Sequence, residues 1–390
     1  MKYANRMGKL KASEIRELLK LTTKPEIISF AGGLPAPEMF PVEQIKAIVT
    51  KIMDEQGETA LQYSPTEGYA PLREAICGMN DFDSTVDDVL ITSGSQQGLD
   101  FSAKIFINPG DVIICESPSY LGALNAFKAY EADFREVGMD EDGMIMEDLE
   151  KVLKETPRAR MIYVIPDFQN PTGRTWTVER RKRFMELANE YDLPVIEDNP
   201  YGALRFEGVK PPSLKSFDTE GRVIFLGTFS KTFCPGLRIG WVQASEEILN
   251  KYILVKQGAD LQTNSLAQRE IYEFVTNYDF AGHVEHIKNV YRGRRDLMLE
   301  SIEKYFPKEA KHTYPEGGLF LWITLPERIN TKELSYKALE KNVAYVPGGS
   351  FYPNGDKQNS FRLNYSYNTD DKIVEGIKRL GEVITEAMKA

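Results

Sequence analysis

Lys231 is the residue of this sequence whose surroundings best suit covalent chemistry. It follows the apolar run RVIFLG by a short turn, and Arg238 comes seven residues later. A lysine that is desolvated beside another cation can lose its proton near neutral pH and act as nucleophile and base. Because a lysine after a strand is more often a solvated surface residue, other groups must support this interpretation.

Four more side chains follow apolar runs and could hold a planar ring. Asp198 ends PVIED, where a buried carboxylate needs a cation such as a protonated pyridine nitrogen; the alternative is a helix cap or a structural ion pair. Asn170 precedes a proline in PDFQNPTG, which also suits an ordinary turn. Tyr201 could reach an oxygen on the ring, and Tyr120 could stack on it or simply pack.

The segment SGSQQGLD could bind a phosphate. It follows the run VLIT and opens a helix, where free backbone N–H groups and the helix dipole favour anions; an ordinary capped turn is the alternative. Ser95 and Gln96 lie in this segment, and Ser230 and Arg238 could complete the phosphate site. A stacking ring, an amide, a carboxylate, a lysine and a phosphate site together match the needs of a pyridine aldehyde phosphate.

Short apolar runs that alternate with helix-length stretches must position these residues. The runs VLIT, VIIC, ARMIYVI, PVIED and RVIFLG predict an α/β fold with a doubly wound, mostly parallel sheet. Ligands of such sheets bind beyond the carboxyl ends of the strands, where the residues above lie. A long charged helix is predicted from about Ala281 to Tyr305, and the later runs GGLFLWITL, NVAYVPGG and SFRLNYS predict a smaller α+β unit.

Composition excludes several classes of function. The formal net charge of −10 and the lack of a basic patch disfavour nucleic-acid binding. Three widely spaced cysteines and three histidines give no metal-ligand pattern, so we expect no metal site. Because the sequence shows neither a signal peptide nor a long apolar stretch, we expect a cytoplasmic protein without a membrane segment.

The ordered set of residues resembles the class I and II aminotransferases of the aspartate aminotransferase fold, which are fold-type I enzymes. The likeness covers essentially the whole chain. The segments LQYSPTEGYAPLRE, KQGADLQTNSLAQ and AYVPGGSF are similar to the branch of 2-aminoadipate, lysine-biosynthesis and broad-specificity enzymes. The resemblance implies pyridoxal 5'-phosphate as cofactor and a ping-pong transfer of an amino group from an L-amino acid to a 2-oxo acid such as 2-oxoglutarate.

The same resemblance implies a role for each cofactor-binding residue. Lys231 binds the cofactor covalently and Asp198 pairs with the ring nitrogen. Asn170 and Tyr201 bond the ring hydroxyl, while Tyr120 stacks on the ring. The phosphate ligands are Ser95, Gln96, Ser230 and Arg238, joined by Tyr63 from a neighbouring subunit. We therefore expect a homodimer with shared active sites, the alternative for Tyr63 being a buried core tyrosine.

Substrate contacts are implied at both ends of the chain. Arg362 in SFRLNYS matches the arginine that forks onto the α-carboxylate, Asn170 is a second substrate-binding residue, and Gly33 in FAGGLP lies close to the bound amino acid. Helical spacing predicts a helix from Ser13 to Thr22, on which Ser13 and Arg16 form a polar pair. A solvated helix face would explain the pair, but the resemblance places it over the substrate, with Arg16 binding a distal carboxylate.

The predicted domains are a large cofactor-binding domain, 42–278, and a small domain formed by 1–41 and 279–390. Aromatic, kynurenine-type or branched-chain donors are alternatives to 2-aminoadipate and glutamate. A lyase or decarboxylase would use the same ring contacts, and a non-catalytic regulatory module that binds the cofactor is an alternative of another class. A subfamily of regulators joins the same fold to an N-terminal DNA-binding winged helix. We expect no such domain here, because few residues precede Ser13.

Overall fold

A mostly parallel, eight-stranded sheet is the framework of the protein. The computed structural model describes residues 1–8, 24–355 and 357–389. Its strands are β1 (Ile28–Ser29), β2 (Val89–Thr92), β3 (Val112–Ser117), β4 (Asp133–Asp140), β5 (Gly143–Met144), β6 (Ala159–Val164), β7 (Val195–Asp198), β8 (Val223–Thr228), β9 (Gly240–Gln243), β10 (Lys311–His312), β11 (Phe320–Thr324), β12 (Val343–Ala344), β13 (Val346–Pro347) and β14 (Ser360–Asn364). Its α-helices are α1 (Val42–Ala60), α2 (Ala70–Cys77), α3 (Ser95–Phe106), α4 (Leu121–Lys128), α5 (Met146–Glu155), α6 (Val178–Glu190), α7 (Glu246–Ala259), α8 (Ser265–Asn277), α9 (Phe280–Tyr305), α10 (Thr331–Glu340) and α11 (Asp370–Lys389).

The strand order of the large sheet is β2-β9-β8-β7-β6-β3-β4-β5. Neighbouring strands from β8 to β4 are parallel, whereas β9 is antiparallel to both β2 and β8, and β5 is antiparallel to β4. The carboxyl ends of β2, β8, β7, β6 and β3 therefore share one edge of the sheet. The predicted α/β fold and all five predicted strands are confirmed.

Burial explains why these runs form a parallel sheet. Every residue of β2, β7 and β8 is buried, as expected for strands with both faces covered by helices. A short turn with polar residues follows each of these strands, so polar side chains lie at the shared edge of the sheet. The functional residues predicted at strand ends are thereby brought within reach of one another.

The C-terminal part of the chain forms a second sheet, with the order β10-β11-β14-β13 and only antiparallel neighbours. The predicted long helix is α9, which begins one residue earlier than expected. One apolar core joins both parts, since Ile224 of the large sheet and Leu321 of the second belong to the same buried cluster. The division of the chain into two domains at residues 42 and 278 stays a prediction.

Across the described residues, the structure contains no helix with the length and apolar character to cross a membrane.

Candidate active site

A cavity of about 380 Å³ opens at the carboxyl ends of the parallel strands. Eleven of the predicted site residues line it: Gly33, Ser95, Gln96, Tyr120, Asn170, Asp198, Tyr201, Ser230, Lys231, Arg238 and Arg362. The lining is completed by Ile165, Pro200, Thr228, Pro235 and Phe320. The chain thus gathers the lysine, the carboxylate and both arginines around one space of a size that suits a small-molecule ligand.

Lys231 lies in the turn after β8 and is largely covered by the cavity walls. Its Nζ donates a hydrogen bond of 2.8 Å to the carbonyl oxygen of Gly33. Burial lowers the pKa of Lys231 to about 8, and the positive charges of Arg362 and Arg238 act in the same direction. The lysine can therefore exchange a proton near neutral pH, as a nucleophile and base requires.

Asp198, the last residue of β7, presents a buried oxygen without a partner. Its Oδ2 accepts a hydrogen bond of 3.0 Å from the Tyr163 hydroxyl, but its Oδ1 has no partner among the described residues. Burial raises the pKa of Asp198 to about 7, against the effect of the Tyr163 hydrogen bond. A protonated ring nitrogen would satisfy the free oxygen and the buried charge together.

Arg362 and Asn170 form one wall of the cavity. Arg362 Nη1 donates to Asn170 Oδ1 at 2.7 Å and its Nη2 donates to the Ala31 carbonyl at 2.8 Å. The guanidinium lies 4.1 Å from the centre of the Phe320 ring, which limits its rotation. Asn170 Nδ2 donates to the Tyr201 hydroxyl at 3.4 Å. Each Nη atom carries a second N–H besides these bonds, so the held guanidinium can still donate to a carboxylate.

The phosphate end is built from the start of α3 and from Arg238. The residue before the helix, Gly94, has a φ of +74° and no side chain that could cap the first backbone N–H groups, and the first two helical residues line the cavity. A Cβ atom on Gly94 would lie 2.5 Å from Arg238 Nη2, and one on Gly240 would lie 2.6 Å from the backbone nitrogen of Ser95. The arginine and the helix start can approach this closely only because both positions lack a side chain.

Tyr120 and Gln96 lie beside this helix start. Gln96 Nε2 donates to the Gly122 carbonyl at 2.9 Å, and the Tyr120 hydroxyl lies 3.5 Å from Gln96 Oε1. A side chain at position 122 would collide with the Tyr120 ring, with a closest approach of 2.4 Å. The ring is therefore held by a tight turn at the cavity wall, consistent with a stacking role.

Among the described residues, one predicted site residue, Tyr63, does not line the cavity. Tyr63 is 78% exposed, so the alternative interpretation as a buried core tyrosine is wrong. Its proposed reach into a neighbouring subunit stays a prediction. Ser13 and Arg16 lie outside the described residues, as does the helix predicted for them.

Sequence reasoning missed several residues that shape the site. Tyr163 fixes Asp198, Thr228 donates from Oγ1 to Ser230 Oγ at 2.8 Å, and Phe320 supports Arg362. A tyrosine within the buried part of the run ARMIYVI is the available signal for Tyr163. Recognising it required knowledge that β6 and β7 are neighbours.

Comparison with known proteins identifies the family. The chain matches the family Aminotransferase class I and II over residues 36–380. It belongs to this family. The protein is therefore an enzyme, an aminotransferase, and its fold is the fold-type I architecture of the aspartate aminotransferases.

The aminotransferase is similar to proteins that are named for different substrates. It is 47% identical to aromatic-amino-acid aminotransferase 1 of Thermococcus litoralis, over 97% of this chain and 93% of that protein. The structure of Pyrococcus horikoshii kynurenine aminotransferase has a TM-score of 0.96 and 45% identity, covering 100% of this chain and 98% of that one. The structure of LysN, the α-aminoadipate aminotransferase of Thermus thermophilus, has a TM-score of 0.93 and 42% identity, covering 99% of this chain and 98% of that one. The predicted family resemblance is confirmed.

Proposed function

We propose that this aminotransferase transfers the amino group of 2-aminoadipate, glutamate and aromatic or other apolar L-amino acids to a 2-oxo acid such as 2-oxoglutarate, in a ping-pong cycle. The observation that carries the proposal is the arrangement of one cavity. It holds a lysine with a lowered pKa, an unpartnered buried aspartate oxygen and an arginine fork. These groups serve base catalysis, ring-nitrogen binding and carboxylate binding.

Pyridoxal 5'-phosphate is the cofactor of this aminotransferase. The LysN structure is complexed with N-(5'-phosphopyridoxyl)-L-leucine, and the Pyrococcus structure is in complex with PMP. The residues present fit the group: Asp198 Oδ1 has no partner among the described residues and could accept from the ring nitrogen, and the start of α3 lies beside Arg238, where a phosphate could bind. Bound there, the cofactor supplies a reactive carbonyl carbon and a ring that accepts electrons.

The chain's own residues supply proton transfer and orientation. Lys231 takes a proton from the substrate Cα on Nζ and returns it, which its pKa of about 8 permits. Arg362 holds the α-carboxylate in place, an arrangement that favours loss of the Cα proton over loss of CO₂. Asp198 keeps a proton on the ring nitrogen, because its own buried charge is stabilised only while that proton is present. These roles favour transamination over the lyase and the non-catalytic alternatives.

The enzyme is proposed to work as a homodimer in which Tyr63 completes the partner's phosphate site. Tyr63 is largely exposed and absent from its own cavity lining, which supports a role in another subunit. Removal of the hydroxyl in Tyr63→Phe should weaken cofactor binding about tenfold to hundredfold, the usual contribution of a hydrogen bond to a charged group. Equilibrium titration of the cofactor-free protein measures this change.

A subunit-mixing experiment decides whether Tyr63 acts in its own site. Dimers that combine a Lys231→Ala subunit with a Tyr63→Phe subunit contain one site with both native residues if the tyrosine acts in trans. Half of the sites should then recover native affinity. Affinity that stays at the Tyr63→Phe value in the mixed dimers would place the tyrosine in its own subunit and contradict the shared site.

A location in the cytoplasm stays a prediction.

Donor specificity is expected to depend on Arg16, as the resemblance to the aminoadipate branch implies. If the guanidinium pairs with a distal carboxylate in a desolvated site, Arg16→Ala should cost roughly 2–5 kcal/mol for acidic donors, about thirtyfold or more in kcat/KM. Apolar donors should lose much less. The measurement is kcat/KM with 2-aminoadipate, glutamate, leucine and phenylalanine, each against 2-oxoglutarate.

The same panel separates the proposed donors. Equal losses for acidic and apolar donors, or no loss for either, would reduce Arg16 to a surface residue and favour an aromatic or kynurenine-type enzyme. Failure of every donor to transaminate in the native enzyme would contradict the proposed function itself.

A further inference from the structure

Glu116 is a buried carboxylate outside the cavity that the reaction does not use directly. It lies near the end of β3 with no exposed surface, and it forms no ion pair with a lysine or arginine in the described part of the chain. We propose that Glu116 is a positioning residue, which fixes the loop 165–176 so that Asn170 and Arg362 hold the cofactor ring and the substrate carboxylate. This inference rests on the proposed function of the site.

In the described part of the chain, the three hydrogen-bond donors to the Glu116 carboxyl group come from that loop. Its Oε1 accepts from Trp176 Nε1 at 2.9 Å, and its Oε2 accepts from the backbone nitrogen of Ile165 at 3.0 Å and from Gln169 Nε2 at 3.4 Å. Trp176 and Ile165 stand at the two ends of the loop, and Gln169 stands in its middle. One carboxylate thus ties both ends and the centre of the loop to β3.

The loop transmits this anchoring to Asn170. Gln169 binds the Pro118 carbonyl through Nε2 at 2.7 Å, and its Oε1 accepts from both the backbone nitrogen and the hydroxyl of Thr172, at 2.9 and 2.7 Å. Asn170 lies between these two bonded residues and is itself buried. Its position is therefore set by Gln169 and, through it, by Glu116.

Asn170 links the loop to the substrate-binding arginine. Its Oδ1 accepts from Arg362 Nη1 at 2.7 Å, while its Nδ2 faces the Tyr201 hydroxyl. A shift of the loop would therefore change two functions at once. The arginine fork would lose a fixed partner, and the amide would move away from the cofactor's ring oxygen.

Two acceptor oxygens are required at position 116. Every partner is an N–H donor, so each hydrogen bond needs an acceptor oxygen. Burial raises the pKa of Glu116 to about 8, and the bonds from Ile165, Trp176 and Gln169 oppose that rise. Glutamine would place an NH₂ group against at least one donor, so that one bond is lost and two donors face each other.

The test compares Glu116→Gln with Glu197→Gln. Glu197 is an equally buried carboxylate that accepts two backbone N–H bonds, from Leu214 at 2.9 Å and Lys215 at 2.8 Å, but these donors lie outside the cavity. Both variants should lower the melting temperature. Only Glu116→Gln should also raise the KM for glutamate, by about tenfold with kcat changed much less, as loss of one fixed bond at the carboxylate site implies.

A spectroscopic measurement gives a second readout. Because an N–H donor stabilises the anionic ring oxygen, a displaced Asn170 should raise the pH midpoint at which the visible absorbance of the bound cofactor changes. We expect this midpoint to rise in Glu116→Gln and to stay native in Glu197→Gln. The milder variant Trp176→Phe removes one donor to Glu116 and should move KM and midpoint in the same direction by less; it decides the question if Glu116→Gln does not fold.

Two outcomes overturn the positioning role. The first is that Glu116→Gln keeps the native KM for glutamate and the native pH midpoint; if that variant does not fold, the same result in Trp176→Phe counts. The second is that Glu197→Gln changes KM and midpoint as much as Glu116→Gln does. Failure of the proposed function is distinguishable, since the native enzyme would then show neither transamination nor the visible absorbance of a bound cofactor.

Discussion

Replacement of Lys231 by alanine is expected to reduce transamination by about 10⁴-fold or more, because one residue supplies both the covalent attachment and the base. The covalent attachment should disappear as well. Borohydride treatment of the cofactor-loaded native enzyme should add the mass of the reduced cofactor to the chain, and the same treatment of Lys231→Ala should not. Stopped-flow measurement of a single half-reaction gives the loss of rate.

Two further variants show whether the effect is specific. Lys231→Arg keeps the positive charge, but its guanidinium does not release a proton, so it should be as inactive as the alanine variant. Lys210→Ala removes an exposed lysine and should behave as native. Substantial turnover by either Lys231 variant would mean that another residue moves the Cα proton.

Asp198→Asn should lower kcat/KM by about 10²- to 10³-fold, the usual cost of removing one preorganised electrostatic partner. An amide cannot hold the proton on the ring nitrogen as a carboxylate does, so the ring should accept electrons less readily. Steady-state kinetics with a good donor measures the loss. A native rate in this variant would show that Asp198 serves only as a strand-end residue.

The same residue should make the stability of the cofactor-free protein depend on pH. Burial raises the pKa of Asp198 from its ordinary value near 3.9 to about 7, so the protonated form is favoured in the folded state. Its contribution is fully present below about pH 4 and is lost as the pH rises through about 7, at most about 4 kcal/mol in total. Urea unfolding at pH 5 and pH 8 should therefore show a larger loss of stability in the native sequence than in Asp198→Asn. Glu116 and Glu197 contribute with the same sign to both proteins, and an equal loss in the two would contradict the assignment.

The strands that carry the site could be predicted because each is a short apolar run that ends in a turn. Asp198 ends one such run and Lys231 follows another after a short turn, and the two are close because the runs are parallel neighbours. Strand β9 was not predicted, since GWVQ is brief and lies only two residues after the 3₁₀ turn Pro235–Leu237. Its antiparallel insertion between β2 and β8 is a matter of sheet topology that a local pattern does not contain.

Other parts of the site depend on contacts between distant segments. Tyr163 and Glu116 act through the strand order β7-β6-β3, which places them beside Asp198 and the loop 165–176. The position of Arg238 depends on its left-handed backbone, with a φ of 56°, which no spacing rule indicates. A list of motifs therefore predicts the groups that touch a ligand better than it predicts the groups that hold them in place.

The two glycines at the phosphate end constrain how this enzyme can change over generations. A methyl group at Gly240 would meet only backbone atoms, at 2.6 to 2.8 Å, and one at Gly94 would meet the Arg238 guanidinium on an already left-handed backbone. Even a change to alanine, the smallest substitution, would not fit at either position. A lineage built on this scaffold must therefore keep both glycines, and with them the same phosphate site.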